Sequence, residues 1–127
     1  MTDLPRSRAT FLHWPTLVEV NRFGCYVHDA FGHRAYLVGS ALVRSDYRDV
    51  DVRLILPDDE FAALFGEITK PRWKNDKWNA HCIAWTHFGQ SLTGQSIDFQ
   101  IDQHTAANTE HGDQRRHPLG IAGWGPG

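Results

Sequence analysis

The stretch Tyr36-Leu37-Val38-Gly39-Ser40, followed after Ala41–Arg48 by Asp49-Val50-Asp51-Val52-Arg53-Leu54-Ile55-Leu56, constrains this chain more than any other. A short apolar run ends in a Gly-Ser turn, and a second run opens with two carboxylates one residue apart. Side chains alternate across a strand, so Asp49 and Asp51 project from one face while Val50, Val52, Leu54 and Leu56 take the other. Neighbouring carboxylates repel, and each raises the other's pKa unless a cation lies between them. Oxygen ligands at that spacing suit Mg²⁺ (or Mn²⁺), which is usually held by one or two carboxylates together with substrate phosphates. Glycine lets backbone approach a phosphate closely, and a helix starting at Ser40 would aim free N–H groups at it. A metal on one side and an anion cradle on the other describe a nucleotide-handling site.

A third acid follows in Gln95-Ser96-Ile97-Asp98-Phe99-Gln100-Ile101-Asp102. Ile97, Phe99 and Ile101 fall on one face of this strand pattern, and Asp98, Gln100 and Asp102 on the other. Laid beside the first acidic strand, Asp98 points into the same site.

From about Tyr36 to Ile101 the chain resembles the nucleotidyltransferase superfamily of DNA polymerase beta-like folds. That family's pattern is an apolar strand, Gly-Ser or Gly-Gly, a short helix, an apolar-flanked Asp-x-Asp, and a later strand with a third Asp. The eight residues between Ser40 and Asp49 are at the short end of its range. Ala41-Leu42-Val43 is more apolar than the Arg- and Gly-containing turn of many members.

The resemblance implies two divalent ions, Mg²⁺ or Mn²⁺, with Asp49 and Asp51 binding both and Asp98 completing the catalytic one. It implies Gly39 and Ser40 as triphosphate binders, and Arg44 and Arg48, placed by the motif nearby, as further phosphate contacts. The implied activity is transfer of a nucleoside monophosphate from an NTP to an acceptor hydroxyl on a protein or RNA end, with release of pyrophosphate. A partner protein is compatible with so small a member. A binding module of the same fold without turnover, and a metal-dependent phosphohydrolase, are the alternatives.

The 127 residues form one domain, large enough for a single core of ordinary size. With 41% hydrophobic and 22% charged residues the composition is that of a soluble globular protein. A net charge of −2 gives no global attraction to nucleic acid. Met1 to Thr10 lacks the apolar stretch of a signal peptide, and no apolar run approaches a membrane span. Cys25 and Cys82 fall in expected helices without metal-type spacing, as buried thiols of a cytoplasmic protein do.

The expected architecture is α+β: a small mixed sheet with helices packed on one face. Met1–Pro15 reads as an arm that packs through Phe11, Leu12 and Trp14. A helix follows from Thr16, with Glu19 completing a capping box and Gly32 ending it. Strands are expected at Arg34–Val38 and Asp49–Leu56, with a short helical turn over Ser40–Arg44. Pro57-Asp58-Asp59-Glu60 opens a helix through Phe65 that Gly66 stops. Asp76 caps a further helix to about His87, and residues 104–127 read as a polar, Gly-rich tail.

Between these helices Lys70, Arg72, Lys74 and Lys77 alternate with Trp73 and Trp78. Such a loop is either a platform for bases and phosphates or a solvated loop anchored by its tryptophans, and the second reading is favoured. His104, His111 and His117 lack the tight ligand pairs of a zinc site.

Overall fold

A computed structural model describes residues 10, 12–67, 71–112 and 115–121. Phe11 of the expected arm, Lys70 of the basic loop and Trp124 of the tail lie outside the described residues. The element order is α1 (Trp14–Phe31), β1 (Ala35–Val38), β2 (Val50–Leu56), α2 (Asp58–Phe65), α3 (Asp76–Thr93), β3 (Ile97–Gln103), α4 (His104–His111) and β4 (His117–Pro118).

The four strands form one mixed sheet in the order β3-β2-β1-β4. β1 and β2 are antiparallel, joined by a connection that begins with a single 3₁₀ turn over Gly39–Leu42. β2 and β3 are parallel, which requires a long crossover. The segment containing α2 and α3 supplies it. The chain is therefore the small α+β fold that the alternating patterns imply.

Strict alternation divides the sheet into two faces. Val50, Val52, Leu54 and Leu56 of β2 and Ile97, Phe99 and Ile101 of β3 are buried in one core with Val20, Phe23 and Val27 of α1 and Trp78 and Cys82 of α3. Phe23 meets Phe99 edge-on at 5.7 Å between ring centroids, which ties α1 to the sheet. Each fully buried side chain of this size contributes about 1.5–3 kcal/mol from area removed from water. Residues at the alternate positions, including Asp51, Arg53, Asp98 and Gln100, are left partly exposed on the opposite face.

Three boundaries depart from expectation. α1 begins at Trp14, with His13 at the N-cap making no side-chain cap, so Thr16 lies inside the first turn rather than capping it. Pro15 explains the shift, because proline's missing N–H and fixed φ suit the first helical turn. α3 is capped by Asn75, whose side chain accepts from the Trp78 N–H, and it runs past Gly89 to Thr93. Gly89 fits inside the helix where space is tight: an added Cβ would stand 3.1 Å from the Phe23 ring and 3.2 Å from Ile97, so these neighbours would have to give by a few tenths of an ångström. The segment expected to be a polar tail carries α4 and β4, and β4 adds a fourth strand at the β1 edge through Leu37↔His117.

α4 is fastened at its first turn and its middle. Asp58 at the start of α2 accepts from the Thr105 N–H at 3.0 Å, and Arg116 donates to Asn108 Oδ1 at 3.2 Å and to the Ala107 carbonyl at 3.4 Å. Among the described residues no helix is long and apolar enough to cross a membrane.

Candidate active site

The parallel register sets Asp51 directly opposite Asp98, and the antiparallel register sets Val38, the residue before Gly39, opposite Asp51. The Gly-Ser turn and two of the three expected acids therefore meet on the partly exposed face of the sheet. Gly39 has φ +77, a left-handed conformation that favours glycine. A Cβ there would stand 3.1 Å from Asp51 Cγ and closer still to Oδ2. The close backbone approach that the sequence suggests for a phosphate is in this structure an approach to the Asp51 carboxylate.

Arg53 lies between the two acids. Its Nη1 donates to the Asp98 carbonyl at 2.8 Å and to the Val52 carbonyl at 3.0 Å. Its Nη2 is 3.4 Å from Asp98 Oδ2 and 3.9 Å from Asp51 Oδ1. The Asp51 carboxyl is nevertheless held above its usual 3.8, chiefly by burial, with Asp98 and Asp49 pushing the same way and Arg53 opposing. Burial thus makes the ionised form of Asp51 costly even beside the guanidinium.

Asp49 precedes β2, is exposed, and accepts from the Ser96 hydroxyl at 2.7 Å. Ser40 belongs to the 3₁₀ turn, and its carbonyl accepts from the N–H groups of Val43 and Arg44. A turn this short has no helix N-terminus of the kind that gathers anions. Arg44 is exposed and pairs with Asp46 at 3.5 Å, and Arg48 is also exposed. Neither lines the cavity that opens beside Asp51.

That cavity, about 190 Å³, runs along the partly exposed face from Gly39 and Asp51 past Arg53 and Gln100 to Arg72, Asp102 and Arg116. Val38, Ile55 and Ala107 supply its apolar walls. The cations at the site are therefore Arg53, Arg72 and Arg116 rather than Arg44 and Arg48. Asp102 shares the face of Asp98 by simple alternation, so its pattern was legible. Arg72 comes from the basic, aromatic loop, a platform for bases and phosphates in one of its two readings, whereas Arg116, just before β4, is placed by its bonds to α4 and no local pattern announces it.

Arg72 is positioned over the Trp78 ring at 5.7 Å, and the Trp78 indole donates to the Ile101 carbonyl at 2.8 Å. Trp78 is thus buried, as an anchoring residue should be, whereas Trp73 is 69% exposed. Cys82, buried beneath the same strand, has its thiol pushed up to about 11 by burial.

The acids Asp51 and Asp98 offer oxygen ligands, which suit a hard divalent cation, and Arg53 occupies the space between them. Among the described residues no three His, Cys, Asp or Glu side chains form a ready-made metal cage. Two carboxylates completed by substrate phosphates are the usual complement for Mg²⁺. The chain matches no protein-family model, no curated protein and no solved structure.

Proposed function

We propose that the protein is a metal-dependent nucleotidyltransferase, moving a nucleoside monophosphate from an NTP onto an acceptor hydroxyl of a protein or RNA end and releasing pyrophosphate. The observation that carries this reading is the Asp51↔Asp98 register beside Gly39, the juxtaposition that the resemblance to the DNA polymerase beta-like superfamily requires. Asp51 and Asp98 would hold Mg²⁺ or Mn²⁺ jointly with the phosphates, and Asp49 would join them for a second ion. When bound, the two ions would reduce phosphate charge, activate the acceptor oxygen and stabilise the leaving pyrophosphate.

The chain's own residues have separate tasks in this reading. Arg53 neutralises the paired acids when no cation is present and turns to phosphate when one is. The arginines farther along the cavity hold negative charge on the substrate. The apolar walls exclude water from one side of it.

One observation favours a second reading. Because Arg53 reaches both Asp98 and Asp51, a module that binds nucleotide without turnover is also consistent with the site. Incubation with each α-labelled NTP and Mg²⁺ or Mn²⁺ separates the cases. Label on a macromolecule with pyrophosphate release is the expected result. Free monophosphate indicates hydrolysis, and neither product indicates a binding module.

A further inference from the structure

Three guanidiniums reach the cavity from three different parts of the fold. Arg53 belongs to β2, Arg72 to the turn before α3, and Arg116 enters just before β4. The two carboxylates that line the same cavity each have an arginine within ion-pair reach, Asp51 with Arg53 Nη2 at 3.9 Å and Asp102 with Arg72 Nη2 at 3.3 Å. Arg116 is different. Its Nη1 donates to Asn108 Oδ1 at 3.2 Å and its Nη2 to the Ala107 carbonyl at 3.4 Å, both neutral acceptors. Among the described residues no carboxylate pairs with it.

The fold holds Arg72 and Arg116 in place without a ligand. Asp102, buried at 6% exposure, anchors Arg72, whose guanidinium also rests over the Trp78 ring at 5.7 Å. Ile55 pairs with Asp102 four residues beyond the Asp51↔Asp98 pair, about 13 Å along the strand at roughly 3.3 Å per residue. The anchor of Arg72 is therefore well separated from the place of a cation on Asp51 and Asp98. A guanidinium carries five N–H donors. Arg116 spends two of them on α4, and Arg72 hydrogen-bonds none of the described residues. The cavity, about 190 Å³, is smaller than the roughly 300–1,000 Å³ pocket of a drug-sized ligand, so what it encloses is compact.

We infer that Arg72 and Arg116 form an oxyanion site that holds a phosphate group directly, with no metal ion bridging it to the protein. Guanidinium forks match phosphate and carboxylate oxygens alike. Donors that converge from separate elements favour a tetrahedral anion, whose oxygens point in several directions, over a planar carboxylate. Gln100 adds a neutral amide to the same wall. Asp102 is then a positioning residue, since it meets Arg72 rather than the anion. The site stands on the cavity and its arginines, and does not require the nucleotide reading. Under that reading the bound group is the pyrophosphate end of the NTP, held by arginine while Asp51 and Asp98 serve the cation.

Calorimetry on the full chain in excess EDTA, titrating inorganic pyrophosphate and acetate, tests this. Pyrophosphate should bind without metal, about tenfold or more tighter than acetate. Arg116→Gln removes the charge that lacks a carboxylate partner and should weaken pyrophosphate about tenfold or more, the effect of losing a charged donor. Arg22→Gln makes the same charge change on α1, where Arg22 pairs with Glu19, and should leave the affinity as it is. Binding of pyrophosphate only when Mg²⁺ is added, acetate binding as tightly, or equal affinities in Arg116→Gln and wild type would overturn the site. Should Arg116→Gln fail to fold, Arg72→Lys keeps a charge beside Asp102 and removes the fork, and undiminished affinity in that variant would overturn it. Pyrophosphate bound in EDTA, with no thermal shift from Mn²⁺ and NTP, would keep this site and remove the nucleotide reading. The reverse pattern would remove the site and keep the reading.

Discussion

A Cβ on Gly39 and the carboxylate of Asp51 would claim the same space: such a carbon would stand 3.1 Å from Asp51 Cγ and nearer to Oδ2, at a backbone φ of +77. The glycine of the Gly-Ser turn is therefore favoured by the fold itself, chiefly through its left-handed backbone, before any ligand arrives. A side chain at this position strains the turn and displaces Asp51, whatever it does to a phosphate.

Gly39→Ala should destabilise the protein by about 1–3 kcal/mol, the sum of left-handed strain and a forced shift of Asp51. Asp51→Ala should relieve the second part only. Urea unfolding of both single variants and the double variant should give a coupling of about 1 kcal/mol in the stabilising direction. Strict additivity would show that the close approach is unimportant.

The raised Asp51 carboxyl has a defined consequence for stability. Its folded-state pKa lies above 3.8, so the folded protein binds this proton more tightly than the unfolded chain. Stability from this group is present below 3.8, falls as pH rises through the folded value, and is flat above it. Asp58 runs the opposite way, since its bonds from Thr105 lower its pKa, and its stabilisation is lost as pH falls. That contribution is common to wild type and Asp51→Asn and cancels in their difference. The stability advantage of Asp51→Asn should therefore grow with pH across the window above 3.8 and then level off. A difference independent of pH, from unfolding curves at pH 3.5 to 7, would contradict the shift.

Arg53→Met keeps much of the aliphatic stem and removes the guanidinium between Asp51 and Asp98. The protein without added metal should lose about 1–3 kcal/mol, because strand carbonyls and acids lose a charged donor. The thermal shift produced by Mn²⁺ should become larger than in wild type, as cation and guanidinium no longer compete. A smaller or unchanged Mn²⁺ shift would mean that Arg53 does not occupy a cation's place.

Trp78→Phe retains a buried ring and deletes the indole N–H that meets the Ile101 carbonyl. Leaving that carbonyl unmet should cost about 1–3 kcal/mol in chemical denaturation. Nucleotide affinity should also fall, because Arg72 rests over the same ring. A loss of stability with undiminished affinity would separate Arg72 from the site.

What is legible in the sequence follows from periodicity. Alternation in Asp49–Leu56 and Gln95–Asp102 assigns each apolar residue to the core face, and the mixed sheet follows from a short connection before β2 and a long one after it. The packing-driven features are not legible. Gly89 falls beyond the expected end of the helix near His87, yet it lies inside α3, where Phe23 and Ile97 leave little room for a side chain. Asp102 reads as one more exposed acid at the end of a polar face, yet it is buried at the end of the cavity that Arg72 and Ala107 help to line. The motif points to Arg44 and Arg48 for phosphate, whereas Arg53, Arg72 and Arg116 line the cavity; the basic loop marks Arg72 only as one of two open readings, and Arg116 comes from a segment read as tail.

The central claim is that Asp51 and Asp98 form a cation-dependent nucleotide site, and thermal melts of wild type and Asp51→Asn with and without Mn²⁺ and NTP test it most directly. Without ligand the variant should melt at the same temperature as wild type or higher, since it loses a repelled charge and keeps the shape. With ligand at about 100 times its dissociation constant, wild type should gain about 2.7 kcal/mol, or roughly 10 °C, and the variant little of it. A variant that melts clearly lower without ligand, yet keeps the full ligand shift, would place Asp51 in the scaffold and contradict the account.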